Sequence, residues 1–456
     1  MIATIRKAWD IPELRKKIIF TLLILLIFRI GNAITVPYVD TATLSSYLNS
    51  QTTTILGLYN VMSGGAFAQA TVFALSIQPY INSSIIIQLL TVAIPALERL
   101  AKEGGEEGRK KIQSITRYAT VAIAILQAFG YYMIMKRYDI LTDQGIWPAL
   151  VIIVSFIAGS SFVMWMGEQV TEFGVGNGIS IILFAGILSR VPSMVSGMYE
   201  GVITWSGVRS GALTEQTLLD AGYTATNAKY MLEQALAPWS VVLILVGILA
   251  LIVFIVFINS AERRIPVQYA KRQVGRKMYG GQTSTLPMKV NMSGVLPIIF
   301  AQSIASLPAT IMAFTGVGEE GSFSYKLSQF LDTKSVLYML VYFILIIGFS
   351  YFYSTIQFNP VEIANNLKKQ GGFIPGFRPG KPTVDFIRKV LNKVTLFGAI
   401  YLGIVAMVPL IAGIVIKNGT LGIGGTSVII IVGVALETVR ALESQMLMRQ
   451  YKGFLE

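Results

Sequence analysis

Residues 73–90 read FALSIQPYINSSIIIQLL, which sets Ile77, Ile81 and Ile85 four apart, in one stripe of a helix. An isoleucine stripe makes no directed bonds. Lining a passage, it would refuse ions, because it offers nothing in exchange for their hydration shell. Gln78 and Asn82 lie on the adjacent face, and Pro79 weakens the helix. Together with Ser83, Ser84 and Gln88 these groups are costly against hydrocarbon, so they face protein or water. The same stripe also serves as the lipid side of a buried helix, and pattern alone leaves both readings open.

Other chemistry is excluded by composition. Histidine and cysteine are both absent, which removes disulfides, thiol nucleophiles, a histidine base and the usual zinc ligands. No Asp or Glu falls in the middle of an apolar run; Glu168, Glu362 and Glu437 stand near the ends. An intramembrane enzyme therefore lacks its nucleophile or metal set, and an ion-coupled carrier lacks the usual buried carboxylate. No cofactor is expected.

The cations form a second constellation. Residues 259–291 hold seven Lys and Arg, and RRIPVQY and TSTLPMKV within them are spaced to pair as a hairpin around RQVGRKMYGG. Arg276 and Lys277 stand at that tip. A second basic segment, GGFIPGFRPGKPT at 371–383, carries Arg378 and Lys381 among glycines and prolines that forbid a helix. Such backbone cannot sit against lipid, so it must be solvated or docked on a partner. Most of these cations also serve simply to fix topology.

The elements that must position these residues are membrane helices. The chain of 456 residues is 54% hydrophobic and 13% charged, with net charge +13, where soluble domains carry about a quarter charged residues. Apolar runs predict ten spans near 18–36, 71–97, 118–135, 147–166, 179–195, 238–258, 292–314, 335–357, 395–416 and 426–442. With the amino terminus inside, 27 of the 37 Lys and Arg fall in cytoplasmic segments and 7 in outer ones, so both termini are expected in the cytoplasm. The basic flank RKAWDIPELRKK predicts an amphipathic surface helix ahead of the first span. Ten spans split five and five, and an odd number per half makes the halves inverted. ILGLYNVMSGGAFAQA, 55–70, is too short to cross and reads either as a half-helix turning at Gly64-Gly65 or as a surface loop helix.

Longer motifs carry a resemblance. FRIG (28–31), YINSSIIIQLLT (80–91), EGRKKIQSITRY (107–118), GEQVTEFGVGNGISIILF (167–184), YAKRQVGRKMYGGQTSTLPMKVNMSGVLP (269–297), FNPVEIANNLKKQGGFIPGFRPGKPT (358–383) and GIGGTSVIIIVGVALET (422–438) resemble the bacterial SecY family over nearly the whole chain. Segment 197–236 carries no recognised pattern.

The resemblance implies an all-α polytopic membrane protein: ten transmembrane helices as two inverted five-helix halves around a pore, with a re-entrant plug helix. It divides the chain into 1–195 (plug about 55–67), an external connection 196–237, and 238–456 with cytoplasmic loops 259–291 and 358–394. The implied function is a protein-conducting channel. It passes unfolded secretory chains across the bacterial plasma membrane and releases hydrophobic helices into the lipid bilayer. Signal sequences open it; SecE, SecG, the SecA ATPase and the ribosome are the implied partners. Residue by residue, the family's pore ring falls on Ile77, Ile81, Leu183, Ile299 and Ile430, where Leu183 departs from the isoleucine common there. The plug falls on Tyr59, Asn60, Met62, Ser63, Gly64, Gly65 and Phe67. The lateral gate falls on Gln88, Thr116 and Asn291, as a polar cluster, and motor or ribosome docking on Arg276, Lys277, Arg378 and Lys381. The alternative is a five-plus-five secondary transporter of small solutes, which would need a midplane substrate site where this sequence offers isoleucine.

Overall fold

The computed structural model describes residues 2–50, 55–102, 104–220, 232, 235–269, 272–274, 277–279, 283–292, 294–315, 335–416 and 425–452. The chain is overwhelmingly helical. Its first half runs α1 (Ile2–Trp9), α2 (Pro12–Gly31), α3 (Thr41–Ser50), α4 (Ile55–Met62), α5 (Gln78–Ala93), α6 (Pro95–Lys102), α7 (Gly105–Arg137), α8 (Ile146–Phe173) and α9 (Gly178–Leu188). A connecting segment follows, with α10 (Val191–Arg209) and α11 (Glu215–Asp220). The second half holds α12 (Pro238–Ser260), α13 (Leu296–Thr315), α14 (Val336–Gln357), α15 (Pro360–Lys369), α16 (Lys381–Ile416) and α17 (Gly425–Lys452).

A helix occupies each of the ten expected positions. By length and composition, six among the described residues are apolar enough to cross a membrane, or seven if α5 with α6 counts as one bent span. α2 falls outside that set because it carries Arg15, Lys16, Lys17 and Arg29. The second span is a correction: helix begins only at Gln78, with Pro79 in its first turn; Thr71 forms an antiparallel bridge with Thr35, and residues 72–77 are turns with Ser76 at φ 49°. The helix axis then swings by 105° into α6 at Pro95, where the preceding residue, Ile94, is extended. The fifth span also differs, because α9 continues nearly straight into α10, a run of 32 residues. That helix projects past the expected end at 195. The returning chain packs on it, with Leu236 N–H donating to Gly201 O at 2.9 Å and Met198 and Leu236 buried.

The basic loops form a small sheet, so the chain is not purely α. β1 (Glu262–Tyr269) pairs antiparallel with β4 (Thr283–Lys289), Glu262 opposite Lys289, as the RRIPVQY/TSTLPMKV spacing predicts. β2 (Arg272–Val274) and β3 (Lys277–Tyr279) pair beyond it. β5 (Gly372–Phe373), from the glycine-rich segment, adds to the free edge of β1. The three strands close over Ile265, Val267, Met288, Leu367, Ile374 and Ile387. The two long basic loops are therefore one packed body.

The chain's two halves meet along two fronts. On one, α13 packs against α5, α7 and α4; on the other, α17 packs against α9 and α1. The second front gives the basic amino-terminal flank a partner. Ala8 of α1 is buried with Leu14, Val175 and Leu442, Thr4 Oγ1 donates to Glu443 Oε1 at 3.1 Å, and Lys17 Nζ donates to Gln445 Oε1 at 3.4 Å. Arg6, Lys7 and Trp9 of this helix face outward.

Candidate functional site: an apolar waist and the segments around it

Ile77 and Ile81 come from α5 and its N-cap, Leu183 from α9, Ile299 from α13 and Ile430 from α17. All five belong to one buried cluster, and none is more than 4% exposed. Four helices, two from each half of the chain, thus each bring a member to that cluster, which runs through much of the helical core. Local chemistry aims the helices. Asn177 caps α9 by accepting from Ile179 N and Ser180 N at 3.1 and 3.3 Å.

The segment over the waist is α4 and the turn that follows. Gly64 and Gly65 sit at φ 71° and 91°, as the half-helix reading required of its turn. A Cβ on Gly64 would come within 2.8 Å of Gly186 O. Asn60 Oδ1 accepts from Ala68 N at 3.0 Å, and Ser63 Oγ accepts from Phe67 N at 3.0 Å, so the segment folds on itself. It is tied to both halves. Tyr131 OH donates to Phe67 O, and the two rings stack at 4.1 Å. Tyr59 OH bonds Thr310 Oγ1 of α13 at 3.2 Å, and Met62 joins the waist cluster itself.

Gln88, Thr116 and Asn291 are not brought together by hydrogen bonds. Thr116 Oγ1 donates to Ile112 O of its own helix, and Asn291 Nδ2 donates to Asn259 Oδ1 at 2.9 Å. Gln88 does reach across the front between the halves, but its Oε1 accepts from Tyr353 OH of α14. The tyrosine ring packs on Phe300 at 5.1 Å. Tyr353 was legible in principle: a tyrosine inside an apolar run needs a partner for its hydroxyl.

On the basic body, Arg378 is exposed while its backbone is fixed. Thr383 Oγ1 donates to Arg378 O at 2.8 Å, Phe377 packs on Phe386 at 4.2 Å, and Gly376 and Gly380 take φ 85° and 109°. Lys381 opens α16 and Lys277 opens β3; Arg276 lies outside the described residues.

A multi-helix membrane protein with an apolar waist shared by its two halves is, as a class, a polytopic channel-like protein. Comparison with known proteins narrows this. The SecY family profile matches residues 71–439. The chain is 42% identical to protein translocase subunit SecY of Streptomyces scabiei over 100% of both chains. It is 41% identical to that of Mycobacterium bovis over 97% of both. Among solved structures it resembles a protein-conducting channel at TM-score 0.62 and 17% identity, over 97% of both chains. It also resembles Sec61 in the canine ribosome–channel complex at TM-score 0.58 and 16% identity, over 97% of both. The chain belongs to the SecY family.

Proposed function

We propose that this chain is the protein-conducting channel of a bacterial translocase, and that the packed waist is its closed constriction. Its relatives are translocase subunits along their whole length. The single observation that carries the reading is the waist: five apolar side chains from both halves, buried together with Met62 of the covering segment. That arrangement suits a passage wide enough for an unfolded chain that must hold back ions when idle. The relatives, translocase subunits along their whole length, do not support a small-solute carrier.

On this reading 1–195 and 238–456 are the two inverted halves of a ten-span channel in the plasma membrane, joined outside by 196–237. Residues about 55–67 are the plug. Both termini and the β1–β5 body face the cytoplasm, in line with the basic-residue bias. The channel is passive; SecA or a ribosome drives it from the basic body, where Arg276, Lys277, Arg378 and Lys381 dock. SecE and SecG bind the exposed apolar helices from lipid. A secretory chain stalled in transit should crosslink to probes at Ile81 and Ile299 and, when its signal is engaged, to α5 and α13. Crosslinks confined to the surface, with none at the waist, would refute the reading.

The front between α5 and α13/α14 is the sideways exit, and Gln88–Tyr353 is its latch in place of the expected cluster. Interhelical hydrogen bonds in membranes contribute about 0.6 kcal/mol on average. Tyr353→Phe keeps the ring against Phe300 and removes only the hydroxyl. It should let weakly hydrophobic signals open the channel about threefold more often. A signal-hydrophobicity titration that superimposes on that of the parent protein would count against the latch.

A further inference from the structure

Three amide side chains at the waist are poorly paired in the shut state. Gln302 of α13 is buried; its Oε1 has no hydrogen-bond partner, and its Nε2 is directed to Met62 Sδ at 3.8 Å. Gln78 of α5 is buried and donates its Nε2 to the same sulfur. Asn82, one turn along α5, is buried with Nδ2 unpaired. A thioether is a weak acceptor, and an unpaired amide away from water is unfavourable. The amides come from opposite halves of the chain, next to isoleucines that form no hydrogen bonds.

We propose that Gln78, Asn82 and Gln302 form a binding site for the peptide backbone of the passing chain, occupied at rest by Met62. Passing an apolar constriction strips water from peptide N–H and C=O groups, and each then needs a replacement partner. Gln302 Oε1 accepts from a peptide N–H. Asn82 Nδ2, and Gln78 Nε2 once Met62 has left, donate to peptide C=O groups. The three side chains are neutral and read only what every residue shares, so the site takes any sequence. Their incomplete pairing at rest biases the waist toward the occupied state. The inference deepens the channel reading above and rests on it.

Backbone esters test it, because an ester lacks the N–H and is a poorer acceptor. The reconstituted translocase is given two preproteins with identical side chains, one carrying a run of backbone esters, and transit of that run is timed. The parent protein should pass the ester run about fivefold more slowly than the amide run, as loss of a hydrogen bond predicts. Gln302→Leu, and independently Asn82→Leu, should slow the amide chain and shrink the ester penalty while the idle channel stays sealed. Equal rates for ester and amide in the parent protein, or an unchanged ester penalty in both variants, would overturn the proposal. Failure of the amide preprotein to cross the parent protein at all would instead overturn the channel reading. Two variants guard against one that fails to assemble.

Discussion

Ile81→Gly combined with Ile299→Gly should make the idle channel conduct small ions, by at least tenfold over background in single-channel recording. Both side chains lie in the packed waist, one from each half of the chain, at 4% and 3% exposure. Truncation of a buried isoleucine to alanine removes about 2–5 kcal/mol of packing per site, and glycine removes the last carbon as well. The double change takes apolar bulk from both sides of the waist and lets water in, after which the barrier to an ion falls steeply. Tenfold needs only about 1.4 kcal/mol off that barrier. If α4 acts as the proposed plug, it limits the leak: Met62 packs into the same cluster and Tyr59 ties α4 to Thr310. Deleting residues 58–66 in the double mutant should therefore raise conductance further. A double mutant that stays electrically silent with the plug deleted would show that the constriction lies elsewhere.

Arg378→Glu should abolish SecA-driven export while leaving the protein inserted and assembled. The side chain projects from a backbone held by the Thr383 hydrogen bond, the Phe377–Phe386 contact and two positive-φ glycines. The loop loses little entropy on docking, so the charge at its tip bears directly on a partner. Reversing an exposed charge costs the fold little. Against an acidic contact it replaces attraction by repulsion, a change of several kcal/mol and thus about a hundredfold or more in docking. A cysteine at 378 must first be labelled from the cytoplasmic side alone, since labelling from outside would overturn the topology. Export at the parent rate by Arg378→Glu would remove this residue from the docking surface.

What the sequence made legible follows from the range of the interactions. The isoleucine stripe and the Gly64-Gly65 turn depend on neighbours a few residues away, and the β1–β4 hairpin joins two nearby runs whose paired residues lie 15 to 27 positions apart, so each could be read from spacing. The addition of β5 to β1 joins residues 269 and 372, and no local pattern records it. The Gln88–Tyr353 bond spans 265 residues; the gate triad named from resemblance missed it because the choice of partner is made by packing. The partner of α1 is likewise distant. Its amphipathic pattern was legible in the sequence, but the pattern does not say what the apolar face packs on. Ala8 clusters with Leu442, far along the chain.

The contact between α1 and α17 bears on how the molecule is made. Thr4 and Glu443 lie 439 residues apart, so the first helix synthesised waits for the last before that front can close. The same last helix brings Ile430, the final member of the waist. A chain interrupted before residue 425 thus lacks both Ile430 and the helix on which α1 packs. On the reading proposed above, the α1–α17 front and the constriction close together, when α17 arrives.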